Sequence, residues 1–185
     1  MPQHAAVCTI EIEQPTPGSL LFCMALNPYA SFLGERDPLE VMAATPSHLA
    51  KLSEQLGNKS MEHSPAPGKW NARQILCHLA DCEIVFAFRL RQALAESNPS
   101  VQPFDQEKWA APYSSYTAAE AMAAFSSIRQ WNMALIRNLP REAFSRKVTH
   151  PERGEMIFKT IVETMGGHDI NHLRQLESIA TRFAM

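Results

Sequence analysis

The chain is expected to fold as an all-α four-helix bundle with a peripheral N-terminal arm. Two observations carry this expectation. Four stretches place apolar residues at the three-and-four spacing of a core-facing helix, and three of them open on helix-start residues. Beyond the arm, no segment alternates over enough residues to form a core strand. At 185 residues one domain is enough, with the arm at 1–26 and the bundle at 27–185.

The arm contains Ile10-Glu11-Ile12-Glu13, which alternates like a short strand, followed by Pro15, Pro17 and Gly18. Residues 1–23 hold no lysine or arginine, so a secretory signal, which wants a basic start, is not expected. A short helical piece around Pro38–Ala44 should precede a second start at Thr45-Pro46, an N-cap with proline at the first helical position; that helix should run to Gly57. The second helix opens at Asn71 with Gln74 three residues on, and carries Ile75, His78, Leu79, Cys82, Val85, Phe86 and Arg89 on its inner stripe to about Ser97. A long loop, Val101 to Tyr116, is rich in aromatics and of a length that often serves function. Thr117 and Glu120 form a capping box for the third helix, whose stripe reads Ala121, Phe125, Ile128, Asn132, Leu135 and Leu139. A connection over 141–154 leads into the fourth.

Composition excludes several classes. A net charge of −2 gives no nucleic-acid footprint, no basic run suggests an anionic membrane surface, and no apolar run is long enough to span a bilayer. Cys8, Cys23, Cys77 and Cys82 make no disulfide or zinc-finger spacing, which points to reduced thiols in a cytoplasm.

The chemistry concentrates on the fourth helix. Ile161, Met165, His168, His172, Leu176 and Ile179 share one stripe, so the two histidines stack one turn apart on an apolar face. Buried imidazoles need partners for their ring nitrogens, and a divalent metal is one; a hydrogen-bonded core histidine is the other reading. His78, inward on the second helix, completes a three-histidine set with open coordination positions, the arrangement of catalytic metal sites. Around it, Arg89 is a candidate for an anionic substrate group, Asn132 for a polar contact, and Cys82 for a fourth ligand or a packed neighbour. Asp81 and Asp169 adjoin the histidines and are candidates to orient them, or to form surface ion pairs. His150 is expected in an exposed loop and Trp70 as a packing anchor.

Pro67-Gly68-Lys69-Trp70-Asn71-Ala72-Arg73-Gln74-Ile75-Leu76-Cys77-His78-Leu79-Ala80-Asp81-Cys82-Glu83 resembles the first signature of the DinB-like superfamily, which includes YfiT-type proteins. Gly167-His168-Asp169-Ile170-Asn171-His172-Leu173-Arg174-Gln175-Leu176 resembles its second. The resemblance covers roughly residues 27–182. It implies a four-helix bundle, usually a homodimer, with a divalent metal on His78, His168 and His172; zinc or nickel lead, with iron, cobalt or manganese as alternatives. Cys82 departs from the pattern, which favours a small or hydroxyl residue there. Superfamily members include transferases and isomerases that use bacillithiol, mycothiol or glutathione, and proteins named as metal-dependent hydrolases. The expected function is therefore a metal-dependent thiol S-transferase acting on a small molecule, with a low-molecular-weight thiol as co-substrate. The alternatives are a hydrolase using metal-activated water and a non-catalytic, metal-stabilised bundle.

Overall fold

Three of the four long helices start where the sequence offers a cap. In a computed structural model, which describes residues 26–183, α1 is one turn, Ala30–Leu33, and α2 runs Pro38–Met61 behind Asp37, whose side chain accepts from the Leu39 amide at 2.7 Å. The expected arm, with its Ile10–Glu13 strand, lies almost wholly outside the described residues. Helix α3, Ala72–Ala95, and α5, Ala118–Arg137, both begin on reciprocal capping boxes, Asn71 with Gln74 and Thr117 with Glu120. Between them lies α4, Gln106–Ala110, capped by Asp105, and a 3₁₀ turn at Tyr113–Ser115. Helix α6, Phe158–Phe183, closes the bundle.

The four long helices pack α2 against α6 and α5, and α3 against α5 and α6, while α2 barely meets α3. Two of the three consecutive pairs, α2 with α3 and α5 with α6, therefore stand on diagonals of the bundle, while α3 and α5 lie side by side. Each diagonal needs a connection that crosses the bundle's end, and the chain supplies 62–71 between α2 and α3 and 138–157 between α5 and α6.

Two expectations change here. Pro46 does not begin a helix; it sits inside α2. Proline has no N–H, so the carbonyl four residues back, that of Met42, loses its helical donor. Arg129 of α5 replaces it, donating from Nη1 to the Met42 oxygen at 3.1 Å. The helix continues because another helix supplies the missing bond. Gly57, at φ 61°, interrupts α2 where the sequence suggested its end.

The connection after α5 is not plain loop. It forms a two-stranded antiparallel hairpin, β1 Lys147–His150 and β2 Gly154–Ile157, with Val148 facing Met156 and both buried. Four-residue strands give too little alternation to stand out, and Gly154 at φ 84° is the turn signal. His150, expected to be exposed, is buried at the end of β1, and Thr149 bridges to the segment after α3 through bonds to Pro99 and Val101.

The inner face of α5 also differs. It reads Ala121, Phe125, Arg129, Asn132, Met133 and Ile136, so Ile128, Leu135 and Leu139 give way to a buried arginine. The guanidinium of Arg129, 2% exposed as a residue, meets Asp169 of α6 through Nη1 (2.5 Å to Oδ2) and Nη2 (3.0 Å to Oδ1), and Glu83 of α3 through Nη2 (2.8 Å). Asn132 donates to the other Glu83 oxygen at 2.8 Å and accepts from Arg91 at 2.7 Å. The Thr45 hydroxyl of α2 lies 2.7 Å from Asp169. Burial alone would oppose a charge here, and the two carboxylates raise the Arg129 pKa above its ordinary value despite it.

Glycine is required at one crossing. A Cβ on Gly167 would stand 2.4 Å from the Tyr29 carbonyl oxygen, so only glycine lets α6 meet the start of α1.

Arg129→Met keeps the volume and removes the donors, leaving two buried carboxylates without a cationic partner. Urea unfolding should show a loss of about 3–5 kcal/mol. A loss under about 0.5 kcal/mol, the scale of an ordinary surface change, would mean the network is not holding the helices together.

Candidate metal site

His78 enters from α3 and His168 and His172 from α6, two helices that face each other across the interior. All three are buried. The Nε2 of His168 meets both of the others, at 3.2 Å from that of His78 and 3.1 Å from that of His172. Aromatic rings hold the imidazoles, with the Tyr29 ring 5.1 Å edge-on to His168, Trp70 at 4.9 Å from His78, and Phe86 at 6.0 Å from His168. Trp70 thus packs against a site residue as well as anchoring the bundle's end.

Burial drives all three imidazoles to the neutral form. The His78 pKa falls to about 3 and that of His172 to about 4, while His168, crowded also by both other histidines and by Arg129, falls well below its ordinary value. Neutral imidazole is the form that ligates metal. Gln175 fixes one tautomer: its Oε1 lies 2.9 Å from His172 Nδ1, which must carry the proton, leaving the Nε2 lone pair aimed at His168.

A metal fits these donors. Zinc–nitrogen bonds of about 2.0–2.1 Å in a tetrahedral arrangement set nitrogens about 3.3 Å apart. The observed 3.1 and 3.2 Å are close to that spacing. Three lone pairs converging in a dry interior repel one another unless a cation or shared protons lie between them.

Cys82 stands with two of the histidines: its sulfur and donor nitrogens of His78 and His168 all lie within 4.8 Å of one another, a group that does not include His172. Its position relative to the His78 ring is informative. Sγ is 3.4 Å from Nε2 and 3.8 Å from Nδ1, nearly equidistant, which places it over the face of the imidazole. A thiolate sharing a metal with Nε2 would lie off the ring edge, about 5 Å from Nδ1, given metal–sulfur and metal–nitrogen bonds of about 2.3 and 2.0 Å. Burial also lifts the Cys82 pKa well above the ordinary thiol range. The sulfur is arranged as a packing neighbour of the ligand ring.

Beside the histidines opens a cavity of about 690 Å³, walled in part by Tyr29, Trp70, His78, Asn171 and His172. The wall includes none of Arg89, Asn132 and Cys82. Arg89 turns to the segment after α3, donating to the Gln102 carbonyl at 2.7 Å, and Asn132 is held in the Glu83 network. Neither aspartate bonds to a histidine. Asp169 is paired with Arg129 and Thr45, and Asp81 accepts from the Tyr113 hydroxyl at 2.9 Å. The residue that does orient a histidine is Gln175, three positions after His172 and so on the same helical face, a spacing visible in the sequence. Tyr29, Asn171, Glu83 and Arg129 also emerge only in the fold.

Residues 42–176 match the family model of the DinB superfamily. The chain belongs to that superfamily. It is 28% identical over 128 residues to a protein of Oceanobacillus iheyensis named "Putative metal-dependent hydrolase", spanning 69% of this chain and 74% of that one. A Bacillus cereus protein of the same name is 27% identical over 138 residues, 74% of this chain and 80% of the relative. Among solved structures, YfiT from Bacillus subtilis, described as "a probable metal-dependent hydrolase with an unusual four-helix bundle topology", superposes with a TM-score of 0.74 at 21% identity, covering 80% of this chain and 86% of YfiT. That likeness establishes the shared fold.

In the unfolded chain each histidine takes a proton near pH 6.5, whereas the fold holds His78 neutral to about 3 and His172 to about 4. Between pH 6.5 and 4 the unfolded state therefore binds protons that the native state refuses, and stability falls as pH falls. The melting temperature of the metal-free chain should drop steadily from pH 7 to pH 5, above the range where carboxylates titrate. An unchanged melting temperature over that range would contradict neutral, buried imidazoles.

Proposed function

We propose that this DinB-superfamily protein is a metal-dependent thiol S-transferase, with a divalent metal, zinc or nickel first, held by His78, His168 and His172. The carrying observation is the contact of the buried His168 Nε2 with the Nε2 atoms of both His78 and His172, beside an open cavity. A divalent ion held there lowers the pKa of a thiol brought to it, so that a thiolate is available at neutral pH. In the transfer the thiol proton leaves to solvent, a sulfur–carbon bond forms to the electrophile, and the leaving group departs with its bonding pair. His78 and His172, both on the cavity wall, place the reacting centre there. Gln175 keeps His172 in its ligating tautomer, and Tyr29, Trp70 and Phe86 keep water from the imidazoles.

The carboxylates support transfer over hydrolysis. Activation of water benefits from a general base, yet the carboxylates next to the histidines are committed, Asp169 and Glu83 to Arg129 and Asp81 to Tyr113. That leaves Glu107 on the cavity wall as the carboxylate that could serve. A thiol of lowered pKa needs no such base. Hydrolysis remains the second reading because the curated relatives carry that name.

The same reading includes a homodimer and a cytoplasmic setting. Solvent-facing Ile84 and Phe88 on α3 and Trp131 on α5 support an interface, and free, buried Cys77 and Cys82 suit a reducing compartment. Among the described residues no helix is long and apolar enough to cross a membrane.

Zinc- and nickel-loaded full-length protein should couple bacillithiol, mycothiol or glutathione to 1-chloro-2,4-dinitrobenzene, followed by absorbance of the thioether. His168→Ala should lower the rate at least 100-fold, in step with lost metal. Thiol-independent cleavage of p-nitrophenyl esters, without thioether formation, would replace the transferase reading with the hydrolase one.

A further inference from the structure

The cavity beside the histidines has a charge character opposite to that of the chain. The sequence carries 17 lysines and arginines against 19 aspartates and glutamates. The cavity wall reverses the balance, with Lys69, Arg174 and Arg182 against Glu107 alone. Two of these cations are set in place by the fold: Arg182 donates to the Pro65 carbonyl, and the Arg174 guanidinium carbon lies over the Phe32 ring, 5.5 Å from its centre. The Lys69 ammonium has no ion-pair partner among the described residues.

Deeper in the same cavity, a second feature asks for an acceptor. Asn171 is 4% exposed and lines the wall, and its amide nitrogen Nδ2 has no hydrogen-bond partner within the protein. Asn171 stands between His168 and His172 on one turn of α6, so this donor lies beside the imidazoles. A buried donor without a partner is destabilising unless a ligand or water accepts from it. The face of α6 that carries it continues through Gln175 and Ser178 to Arg182, a line from the histidines to the rim.

We propose that this cavity is built for a small carboxylate-bearing substrate. Its polar reacting end accepts a hydrogen bond from Asn171 next to the histidines, and its carboxylate lies in the field of Lys69, Arg174 and Arg182 towards the rim. The inference names the substrate class of the site proposed above and rests on that reading for the site being catalytic. The charge preference itself belongs to this chain's own residues, so it is measurable with or without metal.

Isothermal titration of the full-length protein, zinc-loaded and metal-free, with succinate, glutarate and adipate and with the corresponding diamides tests this. At least one dicarboxylate should bind at least tenfold more tightly than its diamide. Lys69→Gln with Arg182→Gln, both exposed positions that leave the core intact, should weaken that dicarboxylate at least tenfold without altering zinc content. Asn171→Leu, at the donor, should weaken it at least fivefold. Equal binding of dicarboxylates and diamides, or unchanged binding in the Lys69/Arg182 variant, overturns the proposal. A metal-free chain that keeps the preference but never takes up zinc would uphold the subsite and defeat the catalytic reading; a zinc-loaded, active chain with no preference would do the reverse.

Discussion

The bundle depends on one arginine. From α5, Arg129 reaches the carboxylates of Glu83 on α3 and Asp169 on α6 and the Met42 carbonyl on α2. One planar side chain thus joins the other three long helices. Taking three ionised groups out of water is costly, and hydrophobic replacements of equal volume often stabilise as well or better. What such a network does impose is register. Helices packed only by Leu and Met tolerate sliding by a turn at modest cost; a guanidinium with five donors at fixed angles does not. In this bundle register is also the condition for chemistry. His78 and the His168–His172 pair lie on different helices, and their nitrogens meet at 3.1 and 3.2 Å only while α3 and α6 hold their places.

The same network shapes the mechanism. Asp169 sits between the two α6 histidines in sequence, where a carboxylate would ordinarily be suspected of orienting a ligand or accepting a proton. Its oxygens are spent on Arg129 and Thr45 instead. The site is left with neutral imidazoles, aromatic walls and an amide from Gln175, and the cavity beside it is lined by Lys69, Arg174 and Arg182 against Glu107. Such a site binds and orients; it has little capacity of its own to shuttle protons. This is the support for the proposed activation of an acidic nucleophile over activation of water.

Much of this was legible from the sequence, and the parts that were not share a cause. The four helices, the capping boxes at Asn71 and Thr117, and the three histidines follow from spacing and cap chemistry, which are local. The buried Arg129 was not read as inward, because arginine is ordinarily exposed and its partners lie on other helices. Its spacing with Phe125, Asn132 and Ile136 was nonetheless that of a core stripe. Pro46 misled for the same reason: its missing bond is made good by α5, which no local pattern reports. The placement of Arg89, Asn132, Asp81 and Asp169 away from the histidines is likewise set by tertiary pairing. The hairpin at 147–157 escaped notice because its strands are four residues long and gain their support from the segment after α3.

The most direct test of the account is zinc K-edge X-ray absorption on the zinc-loaded full-length protein. Three histidine nitrogens should appear at about 2.0 Å with no sulfur shell at about 2.3 Å, the remaining coordination being light atoms. A sulfur shell would make Cys82 a fourth protein ligand and the site a closed, structural one. A chain that took up no zinc at all would contradict the metal site itself.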